Sequence, residues 1–191
     1  MTDEFDAASQ RPTPPVFILT GVPGVGKSSV ARALLSRFDK GLLVPVDDLR
    51  DWVVAGHAFP SPWTDETSRQ FALAEQSAAD LAVRYAAAGF AVAIDHCQSL
   101  HILDRLVETR LQACQVYRVG LHASLETALA RNADRDKPFD TSTLVGVIEY
   151  LHPIFEAEFA AAPDAWTVLQ TDSESLDATT GRILSLVCPD D

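Results

Sequence analysis

Residues 21–28 read Gly21-Val22-Pro23-Gly24-Val25-Gly26-Lys27-Ser28, directly after the apolar run 16–20 and before a segment with helical periodicity. Three glycines allow a tight turn whose backbone N–H groups all point inward, a cradle for phosphate oxygens. Lys27 supplies a point charge, and the Ser28 hydroxyl is a hard oxygen ligand of the kind Mg²⁺ takes. A helix starting at Lys27 turns its positive end toward the same anion. The pattern G-x-x-x-x-G-K-[ST] in a strand–loop–helix setting predicts that Gly21 through Ser28, with Ser29 after them, contact the phosphates of a nucleoside triphosphate. The glycine spacing is not G-x-G-x-x-G, which disfavours a dinucleotide fingerprint.

Three further clusters carry chemistry. Asp47-Asp48-Leu49-Arg50 follows the second apolar run. Moving a phosphoryl group to a hydroxyl needs a residue that orients the hydroxyl and takes its proton. Asp47 is expected to be that base, Asp48 the N-cap of the next helix, and Arg50 a substrate contact. Asp95 ends the third apolar run and is expected to hold the Mg²⁺ shell through water or to bind the acceptor. Arg131 and Arg135 lie four residues apart after a predicted helix, where arginines can neutralise charge on the transferring group. The segment from Trp52 to Trp63, rich in aromatics and prolines, is expected either to wall the acceptor pocket or to pack as a loop. His96, Cys97 and His101 do not match a zinc spacing.

The elements that must position these residues alternate along the chain. Strands are predicted over 16–20, 42–46, 90–94, 115–121 and 166–170. Helices are predicted over 27–38, 48–55, 65–88, 100–112, from Ser124 to about 134, 141–161 and 175–187. Gly89 stands where a helix C-terminus wants a left-handed residue. Such alternation implies a mostly parallel sheet covered on both faces, with ligands at the carboxyl ends of its strands. Residues 1–15 are expected to be a disordered leader, and 16–191 one domain.

Composition narrows the classes. The chain has 191 residues, room for one α/β domain with a full core. A net charge of −12 argues against a nucleic-acid partner, which needs clustered Lys and Arg. Three cysteines, Cys97, Cys114 and Cys188, are too few and too scattered for a disulfide framework, so a reduced, cytoplasmic setting is expected. No apolar run reaches 18 residues, so no membrane span is expected.

Together the motifs resemble the small P-loop kinases of the nucleoside-monophosphate-kinase-like group. Within it the chain looks most like the branch around phage polynucleotide kinase and zeta-toxin-like domains, and it is similar to chloramphenicol phosphotransferase. The resemblance implies a three-layer α/β/α P-loop NTPase fold, a five-stranded parallel sheet of order 2-3-1-4-5, and a lid over 131–142. It implies ATP and Mg²⁺ as cofactors. It carries the base role to Asp47, a supporting role to Arg50, an acceptor-side role to Asp95, and a phosphate contact to Arg135, the second arginine of the lid motif R-N-x-x-R, whose first, Arg131, is expected to bind the cofactor. The chain departs from the branch at His96-Cys97-Gln98, where Thr-Asn-Leu is common, and in the acidic Asp134 and Asp136 of the lid. The expected activity is transfer of the γ-phosphoryl group to a hydroxyl of a metabolite, nucleoside or antibiotic. A polynucleotide or nucleotide-sugar kinase, or an ATPase switch without acceptor, stays open.

Overall fold

The computed structural model describes residues 14–133 and 141–187. Five strands, β1 (Pro15–Thr20), β2 (Gly41–Pro45), β3 (Ala91–Asp95), β4 (Gln115–His122) and β5 (Trp166–Gln170), form one parallel sheet of order β2-β3-β1-β4-β5. The two strands with continuous apolar sequence, β1 and β3, are buried along their whole length, as strands covered on both faces must be. Pro15, expected to end the leader, already belongs to β1.

The helices are α1 (Lys27–Leu35), α2 (Val46–Asp51), α3 (Asp65–Ala87), α4 (Leu100–Arg110), α5 (Leu125–Ala133), α6 (Thr141–Ala160) and α7 (Leu176–Val187). They complete a three-layer α/β/α sandwich. Helices α1 and α7 pack together over one face, while α3 covers β2 and β3 on the other with α4 beside it. The α3 surface against the sheet is built from small side chains, among them Ala74, Ala78, Ala82 and Ala86, so the helix lies close to the strands. Its ends are fixed locally. Thr64 and Thr67 form a reciprocal capping box. At the other end Gly89, with φ of 89°, closes a Schellman turn in which the Gly89 and Phe90 amides bond Ala86 O and Tyr85 O.

Two helices depart most from their predicted bounds. Helix α1 stops at Leu35, three residues before Phe38. Helix α2 spans Val46–Asp51 where 48–55 was expected, with Pro45 at the N-cap. Asp48 is therefore a first-turn residue beside Asp47 and not the cap. Proline fixes φ near the value a helix entry needs and lacks the amide that a helix start leaves unpaired, so the chain coils earlier than the aspartates suggest.

Pairing of β1 with β3 sets Leu19 opposite Asp95. This register brings the end of β3 beside the root of the phosphate loop. It is the one feature of the sheet on which the site depends most.

Candidate active site

The phosphate loop leaves β1 and enters α1. Gly24 has φ of 89°, and a Cβ there would sit 2.2 Å from the Ala128 carbonyl oxygen. Gly24→Ala is expected to destabilise the protein by at least about 1–3 kcal/mol through backbone strain alone. At about 2–4 °C per kcal/mol for a chain of this size, a thermal melt resolves that loss. Gly26 caps α1 without any side-chain cap, and no acidic residue lies in the first turn, so the helix start is open to an anion. Lys27 Nζ donates to the carbonyls of Gly21 and Val22 at 2.9 and 3.1 Å, which holds the ammonium over the loop.

Beside it, Ser28 Oγ donates to Asp95 Oδ2 at 2.5 Å. A hydroxyl and a carboxylate in contact at the start of a phosphate-binding helix are an oxygen pair that suits a hard divalent cation. A cleft of about 410 Å³ opens from the loop. Its walls are residues 24–30 on one side and Arg131, Thr171, Glu174 and Thr179 on the other. Arg131 donates to Thr171 Oγ1 at 3.1 Å and Thr171 O at 2.6 Å. Thr171 in turn donates to Val25 O at 3.2 Å, so the end of α5, the turn after β5 and the phosphate loop are one bonded unit.

Asp47 stands exposed in the first turn of α2. Arg50, one turn on, is 6% exposed. Its Nη2 donates to Ala58 O at 2.7 Å and its guanidinium lies 3.7 Å from the centre of the Phe71 ring. Burial pushes the Arg50 pKa below its ordinary value, and the charges of Asp47 and Asp51 oppose that shift. Cys97, two residues after Asp95, is half-buried. Burial raises its thiol pKa to about 11, Lys27 pulls it down, and Asp47 and Asp95 push it up.

Residues 16–147 match the family described as an AAA domain. The chain belongs to the AAA domain family. Solved structures share the fold of this AAA domain over nearly its whole length. A sugar kinase from Janibacter sp. HTCC2649 aligns with a TM-score of 0.62 at 20% identity, covering 93% of this chain and 95% of that one. The APS kinase CysC of Mycobacterium tuberculosis, in complex with AMPPNP and APS, aligns at 0.62 and 17%, covering 93% and 99%. Shikimate kinase from Acinetobacter baumannii aligns at 0.59 and 18%, covering 93% and 94%. No curated protein matches the chain. At these identities the likeness is one of fold, and the fold is that of the P-loop kinases. No helix among the described residues of this AAA domain is long and apolar enough to cross a membrane.

The aromatic segment divides in space. Trp63 stacks on Phe71, with ring centres 5.0 Å apart, and its Nε1 donates to Ser68 Oγ at 2.7 Å. Trp52 closes α2 and is 71% exposed. It lines a separate groove along edge strand β2, with Leu42, Leu49 and Tyr85. Arg135 lies outside the described residues, as do residues 134–140 of the expected lid and Cys188.

Sequence reasoning missed Glu75. Its carboxylate on α3 meets His96 Nε2 at 3.0 Å and accepts from Gln98 Nε2 at 2.9 Å. Burial pushes the Glu75 pKa up, but the bonds from His96 and Gln98 outweigh it and leave the pKa below the ordinary value. The stabilisation is therefore complete above the unfolded-state pKa of about 4.3 and is lost as pH falls through the lower folded value. Melting temperature is expected to drop below about pH 4.3, and Glu75→Gln should flatten that limb of the curve. His101, grouped with His96 by sequence, bonds Ser99 Oγ instead.

Proposed function

We propose that this protein is an ATP- and Mg²⁺-dependent kinase that transfers the γ-phosphoryl group to a hydroxyl of a small molecule, with Asp47 as the base. The observation that carries the reading is the contact of Ser28 Oγ with Asp95 Oδ2 beside the Lys27 ammonium of the phosphate loop. A donor clamp, a cation-side carboxylate, and the free carboxylate of Asp47 two residues beyond the Pro45 that pairs with Asp95, are the groups that phosphoryl transfer to an alcohol needs.

Lys27 and the amides of the phosphate loop hold the β- and γ-phosphates. Asp47 hydrogen-bonds the acceptor hydroxyl and takes its proton as the oxygen attacks phosphorus and the bond to the β–γ bridging oxygen breaks. Ser28 and Asp95 would hold Mg²⁺, which would neutralise charge on the phosphates. Arg131 and the turn at Thr171 border the nucleoside end of the cleft. Arg135 is assigned to the phosphates on its R-N-x-x-R spacing alone. The Asp47-to-Arg50 spacing supports the branch around phage polynucleotide kinase, while the −12 charge supports a small acceptor over a polynucleotide. A reduced, cytoplasmic setting fits the free Cys97 and Cys114.

ADP formation with MgATP, alone and with hydroxylated metabolites, nucleosides and antibiotics, tests the reading. It is expected to be slow with ATP alone and to rise with at least one alcohol. Fast release of phosphate that no alcohol alters would make the protein an ATPase switch.

A further inference from the structure

Strand β2 is an edge of the sheet. Its pairing shows which backbone groups that edge offers. The Ala91 amide bonds Lys40 O, and Gly41 stands opposite Ala91. The parallel pattern therefore turns the polar backbone groups of residues 40, 42 and 44 toward β3. Those of Gly41, Leu43 and Pro45 point away from the sheet. Proline has no N–H to offer, and it stands at an outward position, where an edge strand tolerates it. The edge keeps amides at Gly41 and Leu43 and carbonyls at all three residues. Such a row is a template for another strand.

A groove of about 390 Å³ runs along the same edge. The direction of the chain sorts its walls into two ends. Asp48 and Trp52 follow β2 and stand at its carboxyl end. Arg32 lies in the last turn of α1, which returns the chain to the amino end of β2. Tyr85 lies in the last turn of α3, which returns it to the amino end of β3, parallel to β2. Each end thus carries one charge and one aromatic ring. The charges are opposite and exposed, and neither side chain has a partner among the described residues. Trp52 is 71% and Tyr85 37% exposed. Apolar surface of this kind, rimmed by charge, marks an interaction site.

We propose that this edge binds a second copy of the same chain, through an antiparallel pair of β2 strands about a two-fold axis at Leu43. That axis sets the carboxyl end of one strand against the amino end of the other. Asp48 of each copy then faces Arg32 of the other, and Trp52 faces Tyr85. The Leu43 residues exchange amide and carbonyl bonds, and each Gly41 amide reaches the Pro45 carbonyl of the other copy. The absent proline amide leaves only the exposed Gly41 carbonyl to water. A parallel pair would instead set Asp48 against Asp48 and Arg32 against Arg32. The match of one end of the groove to its other end selects a second copy over an unrelated chain, because a two-fold interface must complement itself. The contact joins the two sheets into one and braces α2, which carries Asp47, from outside.

Sedimentation of the full chain from about 1 to about 100 µM tests the proposal. The wild type is expected to reach twice its 20.7 kDa and to stop there. Trp52→Ala should weaken the dimer by at least about 30-fold in Kd. Asp48→Arg and Arg32→Asp should each weaken it by at least about 10-fold, since each sets like charges face to face. Both reversals in one chain restore opposite charges across the axis and should return Kd to within about 3-fold of the wild type. Tyr150→Ala removes a ring on α6 that is 70% exposed but away from the edge, and should leave the dimer unchanged. A monomer at the highest concentration would overturn the proposal and leave the edge to a different chain. Masses that climb past two copies would overturn it as well. So would a dimer indifferent to Trp52→Ala and to the single reversals, or one that the double reversal does not recover.

Discussion

Lys27→Ala is expected to lower kcat/KM for ATP by about 10²–10³-fold, the size of effect seen when one aimed electrostatic contact to a transferring group is removed. The ammonium is fixed over the loop by two carbonyls, those of Gly21 and Val22, so it meets the phosphates with little reorganisation. Lys27→Arg should not rescue it, because a planar fork does not fit the place of a compact ammonium. Binding gives a second readout. MgATP at 100 times its Kd stabilises a protein by about 2.7 kcal/mol, and this thermal shift should shrink sharply in Lys27→Ala. A variant that melts like the wild type without nucleotide and shifts as far with it would remove Lys27 from the donor clamp.

Asp47→Asn is expected to keep the nucleotide and lose the reaction, with kcat falling by about 10²–10⁴-fold. Asparagine preserves size and can still hydrogen-bond the acceptor hydroxyl, but it cannot take the proton. Asp47 is exposed and in the first turn of α2, so its removal leaves no buried charge behind. The loss should therefore appear in kcat, with the thermal shift on MgATP and the melting temperature little changed. Turnover within about 3-fold of the wild type would assign the base role elsewhere.

The phosphate loop and its neighbour Asp95 were legible because their signals are local. Eight contiguous residues make the loop, and Asp95 ends a strand that reads as apolar throughout. The sheet order was legible through the resemblance those motifs carry. The contacts beyond the loop were not. Trp52 and Trp63 look like one aromatic cluster in sequence, yet the helix turn at Trp52 sends one ring to the β2 edge, and only the other meets Phe71. Glu75 and His96 lie 21 residues apart on a helix and a strand. Nothing in local periodicity marks a polar residue on α3 as the partner of a strand end, because only the packing of α3 on β3 creates that contact. Arg50 shows the same limit. Its type and place after Asp47 were readable, but its burial under Ala58 depends on where the loop lies.

Mass spectrometry of alcohols recovered after incubation with MgATP tests the central claim most directly. The account predicts that one alcohol gains a single phosphoryl group in step with ADP, and that Asp47→Asn abolishes the gain while still binding MgATP. ADP and free phosphate formed together, with every alcohol unchanged, would contradict it.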